Sequence, residues 1–159
     1  MSPSPDMPSE LPMSAAAADL PTRRDQFRVL RTITTRWMDN DHYGHVNNVV
    51  YYSYFDTVVN DWLIRQGLLD VEKGAVIGLV VETGCQYFES LTYPETVTAA
   101  LRVAHVGTSS VRYEIALFGE GREKAAAQGH FVHVCCDRGT HRPLPLPDDM
   151  RRALEKIRP

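Results

Sequence analysis

Cysteine is scarce in this sequence of 159 residues, and its three cysteines form no disulfide framework. An odd number with irregular spacing argues against a small secreted domain held together by disulfides. Cys135 and Cys136 are adjacent, so on a strand they point to opposite faces and suit neither a CxxC redox site nor a zinc site. Together with Cys85 they are interpreted as small packing residues, and a reduced, cytoplasmic location is predicted.

The sequence also lacks an excess of positive charge and any long apolar run. Its formal net charge of −3 argues against nucleic acid as the main partner. No apolar stretch approaches the ~18–20 residues of a membrane-spanning helix, so no membrane partner is expected. A hydrophobic content of 43% is nevertheless enough for one domain with a substantial core.

Residues 1–24 differ from the rest of the chain. They contain five of the ten prolines and a short alanine run, without the basic start and continuous apolar segment of a signal peptide. This composition predicts a disordered N-terminal tail over residues 1–24 and a single domain over residues 25–159.

Hydrophobic periodicity predicts one strand before a long helix. Alternating residues indicate a strand over residues 27–37. Its dry face is predicted to consist of Phe27, Val29, Ile33 and Trp37. Apolar residues at spacings of three and four then predict a buried helix, capped at its start by Asn47 or Asn48 and closed by Gly67.

Strands dominate the remainder of the chain. They are predicted over residues 75–91, 96–106, 110–118 and 124–137, and a short helix over residues 148–157 is predicted to be capped by Asp148. Short connections favour antiparallel pairing, and one long helix must bury itself on the resulting sheet. The predicted fold class is therefore α+β, with about five strands curled around one helix. A homo-oligomer would cover the sheet edge that remains free.

Polar residues concentrate where the first strand meets the helix. The segment reads Asp39-x-Asp41-x-x-Gly44-His45-Val46-Asn47-Asn48-x-x-Tyr51. Polar side chains concentrated at a junction between a strand and a helix indicate a functional site.

This segment resembles the signature of the hot-dog-fold acyl-CoA thioesterases, of the 4-hydroxybenzoyl-CoA thioesterase-like and bacterial acyl-CoA thioester hydrolase type. It is also similar to the catalytic segment of plant acyl-carrier-protein thioesterases. The resemblance extends over residues 27–157, with supporting segments Tyr87-Phe88-x-Ser90-Leu91, Val106-Gly107-Thr108-Ser109-Ser110 and Arg142-Pro143-x-Pro145.

The resemblance implies a hot-dog fold, a homodimer or homotetramer with active sites between subunits, and hydrolysis of an acyl-CoA or acyl-carrier-protein thioester without a metal or cofactor. It places the catalytic carboxylate on Asp41, which would act as general base or nucleophile, with His45 and Asn47 as further catalytic candidates. Free N–H groups at the start of the following helix would stabilise the developing negative charge. Plant enzymes have an asparagine where this chain has Tyr43, which leaves the role of His45 open. The substrate-binding residues that it implies are Tyr43, Gly44, Asn48, Tyr51, Gly78, Ser109 and Ser110.

Structural interpretations stand beside these roles. Asp39 is expected to fix the loop or pair with Arg36, Asn47 and Asn48 to cap the helix, and Glu82 to be a satisfied carboxylate. A metal site is disfavoured because no second cluster of ligands follows the segment. Two other functions remain open, namely an acyl-thioester-binding module without turnover and a hot-dog dehydratase.

Overall fold

Five antiparallel strands form one sheet in the order β1-β3-β4-β5-β2. The computed structural model describes residues 20–159. The strands are β1 (Val29–Thr34), β2 (Val76–Tyr87), β3 (Thr96–Val106), β4 (Ser110–Phe118) and β5 (Ala127–Asp137), and the helices are α1 (Asn48–Arg65) and α2 (Asp148–Glu155). The order places β2, which follows the long helix, at one edge of the sheet and β1 at the other. The predicted α+β class with a five-stranded antiparallel sheet is confirmed.

Helix α1 packs across the inner face of the sheet. Its buried residues are Tyr51, Tyr54, Phe55, Val58, Val59, Trp62 and Leu63. They meet alternate residues of the central strands, such as Val97, Leu101 and Ile115, which are almost fully buried. This burial supplies the main hydrophobic stabilisation of the domain.

Both ends of α1 follow the predicted chemistry. The Asn47 side chain accepts a hydrogen bond from the Val49 N–H, as an N-cap residue does. At the other end Gly67 has a φ of 70°, and the Gly67 and Leu68 N–H groups donate to Ile64 and Leu63. This is a Schellman motif, in which glycine adopts the left-handed conformation at little steric cost.

The first strand is shorter than predicted, and two of its expected inward residues lie elsewhere. Trp37 is 80% exposed, because the chain has left the sheet for a 3-10 turn at Trp37–Asp39. Phe27 is buried against Ala100 and Phe118 on the outer face of the sheet, in a cluster separate from the core beneath α1. The alternation was wrong at both ends because the strand begins only at Val29 and ends at Thr34.

Other element boundaries also differ from the predicted ones. The second strand ends at Tyr87 rather than at residue 91, the last strand begins at Ala127 rather than at residue 124, and α2 ends at Glu155 rather than at residue 157. Asp148 is the first residue of α2 and makes no capping bond, since Pro147 precedes the helix.

The N-terminal boundary also lies earlier than predicted. Thr22 accepts from the Ala125 N–H, and the Arg24 N–H donates to Glu123. These bonds place residues 22–24 with the domain rather than with the predicted tail; residues 1–19 of that tail lie outside the described residues. Within residues 20–159, neither helix is long and apolar enough to cross a membrane.

Gly129 lets α1 approach the sheet. A Cβ at this position would lie 2.5 Å from Phe55 Cε2 and would also collide with the Gly84 carbonyl oxygen. We expect Gly129→Ala to destabilise the fold by about 1–3 kcal/mol, the usual cost of overpacking. Gly139→Ala is the matched control, because the nearest atom to its Cβ is at 3.4 Å. Equal unfolding free energies for the two variants in urea titrations would contradict this packing.

Candidate active site

The loop between β1 and α1 closes on itself through backbone hydrogen bonds. Asn40 and Val46 form an isolated antiparallel bridge. Within it the Asp41 N–H donates to the His45 carbonyl at 2.9 Å, and the Gly44 N–H donates to the Asp41 carbonyl at 3.1 Å. Gly44 has a φ of 80°, which favours glycine at this turn. The loop therefore holds residues 41–45 in a fixed orientation ahead of the helix.

Asp41 is half-buried at the mouth of this loop. Its Oδ1 accepts a hydrogen bond from the Tyr43 N–H at 2.8 Å. Its Oδ2 has no hydrogen-bond partner in the part of the chain that the structure describes. One oxygen therefore orients the carboxylate, and the other is available to a water molecule or a substrate.

Asp39, two residues earlier, is fully buried. It accepts hydrogen bonds from the Arg36 N–H and Nε at 2.9 and 3.0 Å and from the Tyr54 hydroxyl at 2.6 Å. Burial raises the pKa of Asp39, but the hydrogen bonds from Tyr54 and Arg36 lower it by more than burial raises it. The pKa of Asp39 therefore lies below its usual value. The expectation that Asp39 fixes the loop and pairs with Arg36 is confirmed.

The connection after β2 braces the loop from the other side. The Val46 N–H donates to the Leu91 carbonyl at 2.8 Å, and the Leu91 N–H donates to the Tyr51 hydroxyl at 3.3 Å. Asn40 accepts from the Tyr93 N–H, and Thr92 donates to the Gly44 carbonyl. The loop is thus attached to both the helix and the β2–β3 connection.

The first turn of α1 faces the same place. Asn47 Oδ1 accepts a hydrogen bond from the Val49 N–H, and the Asn47 carbonyl accepts one from the Val50 N–H. No hydrogen bond from the Asn48 N–H is found within residues 20–159. The Tyr87 hydroxyl donates to the Asn48 carbonyl at 2.9 Å and fixes this turn against the end of β2. The positive end of the helix dipole therefore lies next to the loop that carries Asp41.

A groove of about 320 Å³ joins these elements. Its walls come from the loop, the helix start and the end of β2 together with the residues that follow it. The lining residues are Asp41, His45, Val46, Asn48, Tyr51, Tyr87, Phe88, Glu89 and Ser90. Tyr87, Phe88, Glu89 and Ser90 were not predicted as site residues. Their segment carries part of the family resemblance, and that was the signal that could have identified them.

The structure brings four of the ten predicted site residues onto this groove, namely Asp41, His45, Asn48 and Tyr51. Asn47 uses its side chain as a helix cap, and Gly44 forms the turn of the loop. The Tyr43 side chain, in the same loop as Gly44, is 87% exposed.

The remaining three predicted residues lie elsewhere in the chain. Gly78 precedes Tyr87 by nine residues on β2, a separation of ~30 Å at the rise of an extended strand. Ser109 lies in the β3–β4 turn, and Ser110 is the first residue of β4, where it is paired with Val134, next to the partner of Gly78. Gly78 and the two serines therefore lie at one end of the sheet and Asp41 at the other.

Potential metal ligands do not converge on the loop. Among residues 20–159, no group of three or more His, Cys, Asp and Glu side chains has the proximity needed to hold a metal ion.

Comparison with known proteins agrees with this geometry. Residues 35–154 match the thioesterase-like superfamily. The crystal structure of the PA5185 protein from Pseudomonas aeruginosa strain PAO1 is 49% identical, covers 87% of this chain and 96% of its own, and has a TM-score of 0.84. The PA2801 protein of the same species is 31% identical, with coverages of 78% and 95% and a TM-score of 0.72.

A further similar structure is the DHNA-CoA thioesterase from Staphylococcus aureus. It is 25% identical, covers 80% of this chain and 88% of its own, and has a TM-score of 0.72. No curated protein matches the chain. The superfamily match includes the loop, α1 and all strands after it, so the chain belongs to the thioesterase-like superfamily and has its hot-dog fold.

Proposed function

We propose that this protein hydrolyses the thioester bond of an acyl-CoA, or of an acyl carrier protein, to a free carboxylic acid and a thiol. One observation carries the proposal. An oriented carboxylate, Asp41, and a helix start with an available N–H, Asn48, line the same groove. A thioester is already a reactive acyl donor, so a carboxylate and an oxyanion donor suffice without a serine triad.

In the proposed reaction the groove binds the thioester with its carbonyl oxygen toward the Asn48 N–H. Asp41 either takes a proton from a water molecule that attacks the carbonyl carbon, or attacks this carbon itself to give an anhydride that water then cleaves. In both routes the negative charge that develops on oxygen is stabilised by the helix N–H. The C–S bond then breaks, and the thiolate leaves and takes up a proton. His45, on the same wall, is the candidate for orienting water.

We further propose that the active protein is a homo-oligomer in which two copies place their β2 strands side by side. β2 is an edge strand, and residues 78–83 along it are exposed. Leu79, Val80 and Val81 are 37%, 47% and 61% exposed, an apolar surface that is costly to leave in water. If a two-fold axis passes through the middle of β2, Gly78 of one copy lies opposite Cys85 of the other. The predicted binding residues at the far end of the sheet then approach the partner's groove.

A substitution on this edge tests the oligomer. We expect Val81→Lys to convert the oligomer to a monomer in analytical ultracentrifugation and to reduce thioester hydrolysis, because each groove loses the partner's residues. Val71→Lys is the matched control, since Val71 is 63% exposed but lies in the turn before β2. An oligomer that survives Val81→Lys would exclude the proposed β2 contact.

The function itself is tested by steady-state hydrolysis of a panel of acyl-CoA thioesters, with detection of both thiol and acid. Turnover on at least one member is the expected result. Tight binding without turnover on any acyl-CoA or acyl-carrier-protein thioester would instead identify a binding module. Formation of an enoyl thioester from a 3-hydroxyacyl substrate would identify a dehydratase.

A further inference from the structure

His133 on β5 is a buried histidine that the proposed chemistry does not use. It is 7% exposed, and its Nε2 is enclosed without a hydrogen-bond partner in the described part of the chain. The ring packs against Tyr113 and Phe131, with centroids 5.2 and 5.8 Å away. Burial lowers the pKa of His133, and the charge of Asp56 opposes this only in part, so the neutral imidazole is favoured. A buried polar atom without a partner is rare in folded proteins and points to a ligand.

The imidazole lines a small cavity. Its remaining walls are mostly apolar and come from the end of α1, the start of β2, β4, α2 and the segment before α2. They include Leu63, Val76, Val111, Leu146 and Met150. The cavity holds about 30 Å³, room for one or two groups the size of a water molecule. A hydroxyl or carbonyl substituent fits this space, whereas a whole acyl chain does not.

The side of the His133 imidazole that faces Gly78 is not covered by a side chain, because glycine has none. A Cβ on Gly78 would lie 3.1 Å from His133 Nδ1, tighter than a normal side-chain contact. Gly78 itself lies on the exposed edge strand. In the proposed oligomer this strand faces the partner, and Gly78 lies opposite Cys85, two residues before the groove residue Tyr87. The cavity of one copy therefore adjoins the groove of the other.

From this juxtaposition we propose that His133 determines specificity: its imidazole hydrogen-bonds an uncharged hydroxyl or carbonyl substituent on the acyl group bound in the partner's groove. The inference rests on the proposed function. A neutral imidazole can donate through one nitrogen and accept through the other. A carboxylate substituent is disfavoured, because no cationic side chain lines the cavity to compensate its desolvation.

The test measures binding, so that it does not depend on turnover. Asp41→Asn protein is titrated calorimetrically with matched pairs, namely butyryl-CoA against 3-hydroxybutyryl-CoA and benzoyl-CoA against 4-hydroxybenzoyl-CoA. We expect the hydroxylated member of at least one pair to bind about tenfold more tightly, the size of one net hydrogen bond. Adding His133→Phe should abolish this preference, and adding His133→Gln, whose amide can replace Nε2, should restore most of it.

The preference ratio separates this role from a structural one. A variant that merely loosens the core weakens binding of both members of a pair and leaves their ratio unchanged. Equal affinities within every pair, or a preference that survives His133→Phe, would overturn the inference. Hydrolysis of the panel by the unmodified protein decides the proposed function separately, since a catalyst without this preference refutes only the role of His133.

Discussion

Replacement of Asp41 by asparagine is expected to lower kcat/KM for thioester hydrolysis by about 10³-fold, within the range for loss of a positioned acid–base group. The amide oxygen of asparagine can still accept a hydrogen bond from the Tyr43 N–H, so the loop should keep its shape. What is lost is the charge and basicity of the oxygen that faces the groove. Steady-state kinetics on the best acyl-CoA of the panel, with circular dichroism and thermal unfolding, would measure both effects.

The control for this variant is Asp148→Asn. Asp148 is an exposed aspartate at the start of α2 and makes no side-chain hydrogen bond within the described residues. The same chemical change there should leave kcat/KM within twofold of the unmodified protein. Full activity in Asp41→Asn would remove Asp41 from the reaction, and the groove would then need another base.

Hydrolysis in ¹⁸O-labelled water over repeated turnovers, combined with attempts to trap an anhydride, tests which of the two routes Asp41 follows. If Asp41 attacks the carbonyl carbon, cleavage of the anhydride at the acyl carbon leaves the carboxylate unlabelled, and cleavage at the aspartyl carbon introduces label into it. Repeated turnovers with no label in Asp41, together with failure to trap an anhydride, favour general-base catalysis. Label found on Asp41 by mass spectrometry of the loop peptide would establish the nucleophilic route.

Sequence patterns located the elements that make up the site because those elements depend on local chemistry. The bounds of β3 and β4 follow from strict alternation between turn residues, and the structure has them at the predicted residues. Asn47 caps α1 and Gly67 closes it for reasons confined to a few neighbouring residues. The loop that carries Asp41 was likewise visible as a polar segment between a strand and a helix.

Long-range contacts were not visible in the sequence. Phe27 and Trp37 fit the alternation of β1, but the strand begins after Phe27 and ends before Trp37, and tertiary contacts decide where both residues lie. The start of the second predicted strand is apolar in sequence, and the structure leaves Leu79, Val80 and Val81 exposed on an edge of the sheet. Periodicity cannot distinguish burial inside one chain from an apolar surface available to a second copy.

Asp39 and Asp41 show the same limit at the scale of one loop. They are the same residue type two positions apart, and the structure buries the first and leaves the second accessible. The difference arises from Tyr54, fifteen residues along the chain, whose hydroxyl reaches Asp39. The pairing of Asp39 with Arg36 could be predicted from their spacing; the bond from Tyr54 depends on how α1 lies against the loop.

Asp39→Asn is expected to destabilise the fold by about 3 kcal/mol. The charge-assisted hydrogen bonds are lost, and the NH₂ group of the new amide faces Arg36 and Tyr54, which are themselves donors. Urea unfolding at pH 7 would measure the loss. Tyr54→Phe should cost about 1.5–3 kcal/mol through the same network, so the double variant should lose less than the sum of the two. Asp148→Asn is the control: this exposed aspartate makes no side-chain hydrogen bond within the described residues, and we expect a change of about 0.5 kcal/mol or less.

The pH dependence of this loss identifies its cause. Folding lowers the pKa of Asp39 below the ordinary value of 3.8, so the ionised carboxylate favours the folded state. Its stabilisation is fully present above that value and disappears as the pH falls through the lower folded-state pKa. The difference in unfolding free energy between the unmodified protein and Asp39→Asn should therefore be constant from pH 7 to 5 and shrink below pH 3.8. A difference that stays constant through acid unfolding would show that shape, and not charge, makes Asp39 necessary to the loop.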